Sequence, residues 1–224
     1  MICFIGTSFA PTHFKGAALK RGFTLTEYPE KADLVFVSED TPTKEGKRDL
    51  ICIKLLIEYA SDHVKKGVSF VLTSQVPPGF TRSLGLNIYH LAETLRVTRD
   101  SEDRALNPEQ FIVGCEDPTK QLPDAFMKYL LAFECPIHKV SWEEAEFSKI
   151  AINMTLASQV DNANRLSAAA VKVGARWDVI KTILQHDKRI GPHSYLTPGR
   201  WQDSQHLLRD FVTLEQIEND WNIE

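Results

Sequence analysis

The sequence lacks the features that mark membrane, secreted and zinc-binding proteins. No apolar run approaches the roughly 20 residues of a membrane-spanning helix, and no signal peptide is predicted before the first strand. The cysteines are few and scattered, with no Cys-x-x-Cys pair, which argues against a zinc ribbon or a disulfide framework. They are Cys3, Cys52, Cys115 and Cys135. We therefore predict no metal site and expect the protein to lie in a reducing cytoplasm.

A strong excess of one charge is also missing. Lys and Arg number 26 against 30 Asp and Glu, a net charge of −4, so there is no electrostatic reason to expect nucleic acid or an anionic membrane as a partner. With 224 residues, 43% of them hydrophobic, the chain is long enough to bury a core in one large or two small domains.

The first stretch has only part of a dinucleotide-binding fingerprint. Ile2 to Gly6 is an apolar run ending in glycine, which is typical of a buried parallel strand. The fingerprint would continue as Gly-x-Gly-x-x-Gly, whereas the chain reads GTSFAP from Gly6. Ser8 carries a side chain where bare backbone should approach a pyrophosphate, and Pro11 removes one amide donor. A helix is predicted over residues 12–20.

The alternation of apolar segments beyond this point predicts an α/β fold. Strands at 23–28 and 32–38 are separated by only about four residues, although parallel neighbours need a crossover of about a dozen. The usual second helix is therefore missing and this half of the sheet is trimmed. The remaining predicted elements are strands at 68–73, 86–90 and 107–114 and helices at 49–66, 121–134 and 177–185, and residues 135–140 lead into the central helix.

One long helix organises the chain. Ser141 and Glu144 form a capping box, no Gly or Pro interrupts residues 142–173, and Gly174 is a natural stop. Apolar residues on more than one side predict that two domains or two subunits bury this helix, so we expect a homodimer through residues 142–173. Lys149 and Asn153 are four residues apart and point the same way, where they could hold a developing oxyanion. By itself, that spacing is more typical of a solvated lysine beside an unrelated asparagine.

Five sequence blocks in a fixed order resemble the UDP-glucose/GDP-mannose dehydrogenase family, whose members oxidise a nucleotide sugar with NAD. The blocks are ADLVFVSEDTPT, TSQVPPGFTR, NPEQFIVG, EAEFSKIAIN and DKRIGP. The resemblance implies a trimmed Rossmann-like, mostly parallel sheet in residues 1–140, followed by an all-helical domain in residues 141–224 built on the long helix. Family members continue beyond the equivalent of Glu224 into a second α/β domain.

The resemblance also implies site residues. NAD would be bound by the first turn, by the threonine-proline loop and by the loop at the nicotinamide end: Gly6, Ser8, Phe9, Ala10, Thr41, Pro42, Ser74 and Gln75. Gln75 replaces a family threonine. Glu93, within the segment 92–96, is the counterpart of an active-site glutamate, and Lys149, Asn153 and Asp210 match further catalytic positions.

A departure in the segment 197–210, the predicted closing loop, limits the implied chemistry. The family carries a cysteine nucleophile four residues before the aspartate, but here that position is His206, and no cysteine follows Cys135. Family enzymes perform two hydride transfers, and the second needs the thiolate. The implied reaction is therefore one two-electron alcohol/carbonyl transfer on a sugar or sugar nucleotide. Lys149 and Asn153 would stabilise the alkoxide, and Asp210 or His206 would accept the proton.

Three other interpretations stay open. A β-hydroxyacid dehydrogenase has the same lysine–asparagine spacing, but the blocks around it differ. A non-catalytic nucleotide- or sugar-binding module could have kept the fold after losing the glycines, the threonine and the cysteine. A plain helical dimerisation unit would not need Lys149, Asn153 and Asp210 together.

Overall fold

The chain forms two compact units, which we call the N-terminal and C-terminal units. The computed structural model describes residues 1–44, 47–85, 87–95 and 100–221. The units comprise Met1–Lys149 and Ile150–Glu224, so the division falls inside the long helix. The predicted domain boundary at residue 140 stays a prediction. Leu86 of a predicted strand and Arg96 of the Glu93 segment lie outside the described residues.

A seven-stranded sheet forms the N-terminal unit, in the order β2-β1-β3-β6-β7-β8-β9. All neighbours are parallel except β7 and β8. The strands of the chain are β1 (Ile2–Ile5), β2 (Leu25–Thr26), β3 (Leu34–Val37), β4 (Thr43–Lys44), β5 (Lys47–Arg48), β6 (Ser69–Leu72), β7 (Ile88–Leu91), β8 (Phe111–Cys115) and β9 (Ile137–Ser141). Strands β4 and β5 form a separate antiparallel pair.

Helices cover the sheet and make up the C-terminal unit. They are α1 (Phe9–Lys20), α2 (Ile51–His63), α3 (Phe80–Ser83), α4 (Ser101–Leu106), α5 (Asp124–Leu131), α6 (Trp142–Lys172), α7 (Trp177–His186) and α8 (Gln205–Trp221). Single 3₁₀ turns lie at Pro29–Lys31 and Trp201–Asp203. The predicted fold class, a mostly parallel α/β sheet followed by helices built on one long helix, is confirmed. None of the helices in these ranges is long and apolar enough to cross a membrane.

The trimmed half of the sheet has a simple cause. Strands β2 and β3 lie on opposite sides of β1, where Ile2 is in register with Leu25 and with Leu34. They are not neighbours, so the short connection crosses β1 with one 3₁₀ turn instead of a helix. The predicted loss of the second helix is confirmed.

Alternate residues of the central strands fill two separate cores. Phe36 packs on one face, with its ring stacked on Phe4 at 4.7 Å between centroids and tilted against Tyr129. Val35 and Val37 on the other face pack in a core that includes residues of α2. A sheet covered on both faces explains why its strands read as continuous apolar runs.

The central helix α6 begins and ends as predicted. The amide of Ser141 donates to the carboxylate of Glu144 at 2.7 Å, and the amide of Glu144 donates to the Ser141 hydroxyl at 3.3 Å. Gly174 ends the run in the left-handed conformation with φ of 72°. The indole of Trp142 donates to the carbonyl of Ile88 at 3.0 Å, which fixes the first turn of α6 on the sheet.

Two predictions of local structure were wrong, and one short helix was missed. Helix α1 begins at Phe9 rather than residue 12, because Pro11 lies in the first turn, where a missing N–H costs nothing. The predicted closing loop is partly helical: α8 begins at Gln205, where the carbonyl of Ser204 accepts the amide of Leu208 at 3.0 Å. Helix α4 was not predicted, since its six residues are mostly polar and show too short a pattern.

Candidate functional site

The predicted cofactor residues all follow β1, β3 and β6, three strands that are adjacent and parallel. Parallel strands end at one edge of the sheet, so the structure brings these residues together at the edge where α/β folds bind ligands. They are Gly6, Ser8, Phe9, Ala10, Thr41, Pro42, Ser74 and Gln75.

The turn between β1 and α1 can be made only with glycine at its first position. Gly6 has φ of 118°, and a Cβ placed on it would lie 1.6 Å from the carbonyl oxygen of Ser38. Ser8 precedes α1 in an extended conformation, and Phe9 and Ala10 are the first helical residues. The backbone path of a dinucleotide-binding turn is therefore kept at Gly6, although Ser8 replaces the second glycine of the fingerprint.

An acidic side chain, Glu39, lies against this turn, and sequence reasoning missed it. Its Oε2 accepts the amide of Thr7 at 3.0 Å and the Thr7 hydroxyl at 3.2 Å. Its Oε1 accepts the amide of Asp40 at 3.0 Å. A signal was present in the sequence, because Glu39 and Asp40 lie just beyond the buried strand β3, after Ser38.

Hydrogen bonds join the loops after β3 and β6. The Ser74 hydroxyl accepts the amide of Glu39 at 2.7 Å and donates to its carbonyl at 2.8 Å. The carbonyl of Gln75 accepts the Thr41 hydroxyl at 2.5 Å and the Arg48 guanidinium at 3.0 Å. The hydroxyls of Ser74 and Thr41 thus hold the two loops together by hydrogen bonds to backbone groups. Gln75 contributes its backbone carbonyl to these bonds.

Glu93 lies just beyond β7, which ends at the same edge as β6 because the two strands are parallel. Its side chain is partly exposed, and its Oε1 accepts the backbone amide of Leu95. The structure therefore places Glu93 on the edge that holds the predicted cofactor residues.

A second carboxylate that the sequence did not reveal ties α6 to the loop after β6. Glu146 is 2% exposed, and its oxygens accept the amides of Gly79 at 2.6 Å and Thr81 at 2.8 Å. Burial raises the pKa of Glu146, and the two amides partly offset that rise. Lys149 follows less than one helical turn later, with its side chain partly exposed.

In the C-terminal unit the structure joins two of the predicted catalytic residues. The Asn153 amide donates to Oδ2 of Asp210 at 2.6 Å, and both side chains are buried. This pair connects α6 with α8. Lys149 lies one turn before Asn153 on α6, as its spacing predicts.

His206 lies one turn before Asp210 on α8 and is exposed. The Arg209 guanidinium lies 3.3 Å from its Nδ1. Arg209 is only 6% exposed, and sequence reasoning did not identify it as a member of this group.

Comparison with known proteins shows which family the chain resembles. Residues 143–223 match the model of the UDP-glucose/GDP-mannose dehydrogenase family, central domain. Over that segment the chain is similar to the central domain of this family. The resemblance that the sequence blocks predicted is confirmed.

The relatives are longer than this chain. UDP-glucose 6-dehydrogenase YwqF of Bacillus subtilis (strain 168) is 28% identical over 199 residues, which are 84% of this chain and 44% of that protein. The chain thus spans about half the length of the curated relatives it matches.

Solved structures of nucleotide-sugar dehydrogenases share the fold. A UDP-glucose dehydrogenase from Pyrobaculum islandicum superposes with a TM-score of 0.78 at 20% identity, covering 99% of this chain and 64% of that one. A GDP-mannose dehydrogenase from Pseudomonas aeruginosa superposes with a TM-score of 0.72 at 19% identity, covering 88% of this chain and 59% of that one.

Proposed function

We propose that this protein is an NAD-dependent oxidoreductase that moves one pair of electrons between the cofactor and an alcohol or carbonyl carbon of a sugar or sugar nucleotide. The buried Asn153–Asp210 pair carries the proposal. Burying an amide against a carboxylate gains little stability over apolar packing, so a polar pair next to Lys149 on the central helix is better explained by chemistry than by folding.

The edge of the sheet fits the cofactor at the first turn. Gly6 makes the tight turn that a dinucleotide-binding unit requires, and Ser8 to Ala10 lead into the N-terminus of a twelve-residue helix. Gly6, Thr41 and Ser74 would hold NAD there, with Pro42 and Gln75 beside them. The bound nicotinamide would supply the hydride acceptor or donor.

Lys149 and Asn153 would act on the substrate oxygen. An ammonium group stabilises an alkoxide by charge, and an asparagine amide carries two hydrogens, one of which already points at Asp210. Asp210 would hold the Asn153 amide in one orientation. Asp210 or His206 would accept the alcohol proton, and Glu93 would act at the sheet edge.

The absence of a cysteine near Asp210 favours a single transfer. The residues after Cys135 include no cysteine that could form the thiohemiacetal needed for a second oxidation. We therefore expect the reaction to stop at the aldehyde or ketone, with one NADH made per substrate molecule.

The test is turnover of the purified chain with NAD and UDP-glucose or GDP-mannose, followed by NADH absorbance and product analysis. Lys149→Ala should lower turnover roughly 100-fold or more, as expected for losing a charge-stabilising or acid–base group. Lys172→Ala, at the exposed end of the same helix, is the matched control and should leave turnover unchanged. Undiminished turnover of Lys149→Ala, or two NADH per sugar with a carboxylate product, contradicts the proposal.

His206→Ala separates the two candidates for proton acceptor. A small effect on turnover points to Asp210 and a large one points to His206. The comparison is informative because His206 is exposed and its loss should not disturb folding.

A second candidate function is a non-catalytic nucleotide- or sugar-binding module. The Glu39 carboxylate in the first turn favours it, because an acidic group there opposes a bound diphosphate. Calorimetry with NAD, NADH and UDP-glucose distinguishes the two: heat with the sugar nucleotide and none with NAD or NADH supports the module.

We also propose that the protein is a cytoplasmic homodimer. All four cysteines are free, which suits a reducing compartment. Apolar residues stay exposed at the end of α6, where Leu166 is 42% and Val171 76% exposed, and a second copy of the chain would cover them.

A further inference from the structure

We propose that Glu39 is an internal competitor for the cofactor diphosphate, so that its carboxylate sets the affinity of the first turn for NAD. This inference rests on the proposed function, since it concerns the same edge of the sheet.

The geometry places a negative charge in the turn itself. In a dinucleotide-binding unit the pyrophosphate lies against the turn between the first strand and the first helix, which backbone amides and the helix dipole make favourable for anions. Here one carboxylate oxygen of Glu39 accepts both the amide and the hydroxyl of Thr7, directly after Gly6. The amide and the hydroxyl of Thr7 could both donate to a bound anion, but in this structure both donate to Glu39.

The backbone of Glu39 is held so that its side chain reaches the turn. Ser74 binds both the amide and the carbonyl of Glu39, at 2.7 and 2.8 Å. Gly6 is packed so closely against Ser38 that the turn and the end of β3 cannot separate without loss of the strand pairing. The carboxylate is only partly buried, so its side chain can rotate outward.

A bound diphosphate would meet this carboxylate as a like charge. Two negative groups a few ångströms apart repel each other, and the repulsion is strongest where water is partly excluded. Binding of NAD therefore requires either the side chain to turn away or the diphosphate to shift. Either change weakens binding relative to the same turn with a neutral side chain.

The experiment compares NAD affinity by titration calorimetry for the wild-type chain, Glu39→Gln and Glu58→Gln. Glutamine keeps the size of Glu39 and an oxygen acceptor for Thr7 but removes the charge. Glu58 is an exposed carboxylate on α2, so its variant controls for the change in net charge. Thermal unfolding followed by circular dichroism establishes that each variant is folded.

We expect Glu39→Gln to bind NAD about tenfold more tightly than wild type and Glu58→Gln to match wild type. ADP-ribose, which keeps the diphosphate and lacks the nicotinamide, should show the same gain. A gain with NAD alone would place the effect at the nicotinamide and overturn the inference.

The remaining outcomes separate the inference from the proposed function. Equal NAD affinity of wild type and Glu39→Gln overturns the inference and leaves the proposed cofactor in place. Binding by Glu39→Gln alone supports the inference and argues against NAD use by the native chain. No binding by either folded protein overturns both.

Discussion

His90 is a titratable residue enclosed in the sheet. It is 2% exposed on β7, its Nδ1 has no hydrogen-bond partner among the described residues, and burial lowers its pKa from 6.5 to about 4. Its strand partner is Gly114, where an added Cβ would lie 3.3 Å from the Cβ of His90.

This burial predicts a pH-dependent stability. The unfolded chain binds a proton at His90 near pH 6.5 and the folded chain only near pH 4, so the stabilisation is fully present above pH 6.5 and is lost as pH falls between these values. The loss should be about 3 kcal/mol in the free energy of unfolding. Urea unfolding at pH 7, 5 and 4 measures it.

His90→Gln should flatten that part of the profile, because glutamine does not titrate. The control is His138→Gln, which changes an exposed histidine on the edge strand β9. This variant should keep the wild-type slope. A wild-type slope in His90→Gln would show that another group causes the acid sensitivity.

Gly114 is required for packing, whereas Gly16 is not. A Cβ on Gly114 would lie 2.8 Å from Cβ of Ala145 and 3.0 Å from Cα of Trp142, both on α6. We expect Gly114→Ala to destabilise the fold by about 1–3 kcal/mol through overpacking. Gly16 lies inside α1, where an added Cβ would meet no atom within 4 Å. Gly16→Ala should therefore raise the free energy of unfolding by about 0.5–1 kcal/mol. Chemical denaturation should show shifts of opposite sign, and shifts of one sign would contradict the different packing of the two glycines.

At the scale of elements, the first turns of α6 hold three glutamates with different tasks. Glu144 caps its own helix. Glu143 forms an exposed two-bond ion pair with Arg82 of α3, at 2.5 and 3.0 Å. Glu146 is buried and binds the backbone where α3 begins. We therefore expect the position of α6 on the sheet to depend on the buried Glu146 more than on the exposed ion pair.

Substitutions of these glutamates test that ranking. Glu146→Ala leaves two amides without an acceptor and should lower the free energy of unfolding by about 2–4 kcal/mol. Glu143→Gln removes a solvent-screened pair and should change it by less than about 1 kcal/mol. Guanidinium denaturation compares the two variants. Equal losses of stability would contradict the expectation that the buried Glu146 stabilises the fold more than Glu143 does.

At the scale of the molecule, the length of α6 predicts assembly. The helix has 31 residues, longer than ordinary globular helices, and exposed apolar side chains remain near its end. We expect a homodimer by light scattering at micromolar concentration. Val171→Glu places a charge on that surface and should shift the mass towards a monomer, whereas Lys172→Glu, one residue on, should have a smaller effect. A wild-type monomer at that concentration would contradict the proposed dimer.

The sequence by itself determined the local elements. The apolar runs of β1, β3 and β6, the capping box of α6 and its stop at Gly174 depend on residues within a few positions of each other, so their patterns are readable. The ordered sequence blocks added the family and the mostly parallel sheet. Lys149 and Asn153 could be paired for the same reason, since helical spacing alone fixes their common face.

Only the tertiary structure decided which distant groups meet. Glu39 joins Thr7 across 32 residues, Asn153 joins Asp210 across 57, and Glu146 joins Gly79 across 67. No local pattern encodes such pairs, because they follow from the order of strands in the sheet and from the packing of helices on it. The helical start of α8 was likewise not readable from the sequence, because the turn residues before it predicted a loop. The packing of the whole fold, and not the spacing along the chain, therefore decides which of the proposed site residues come together.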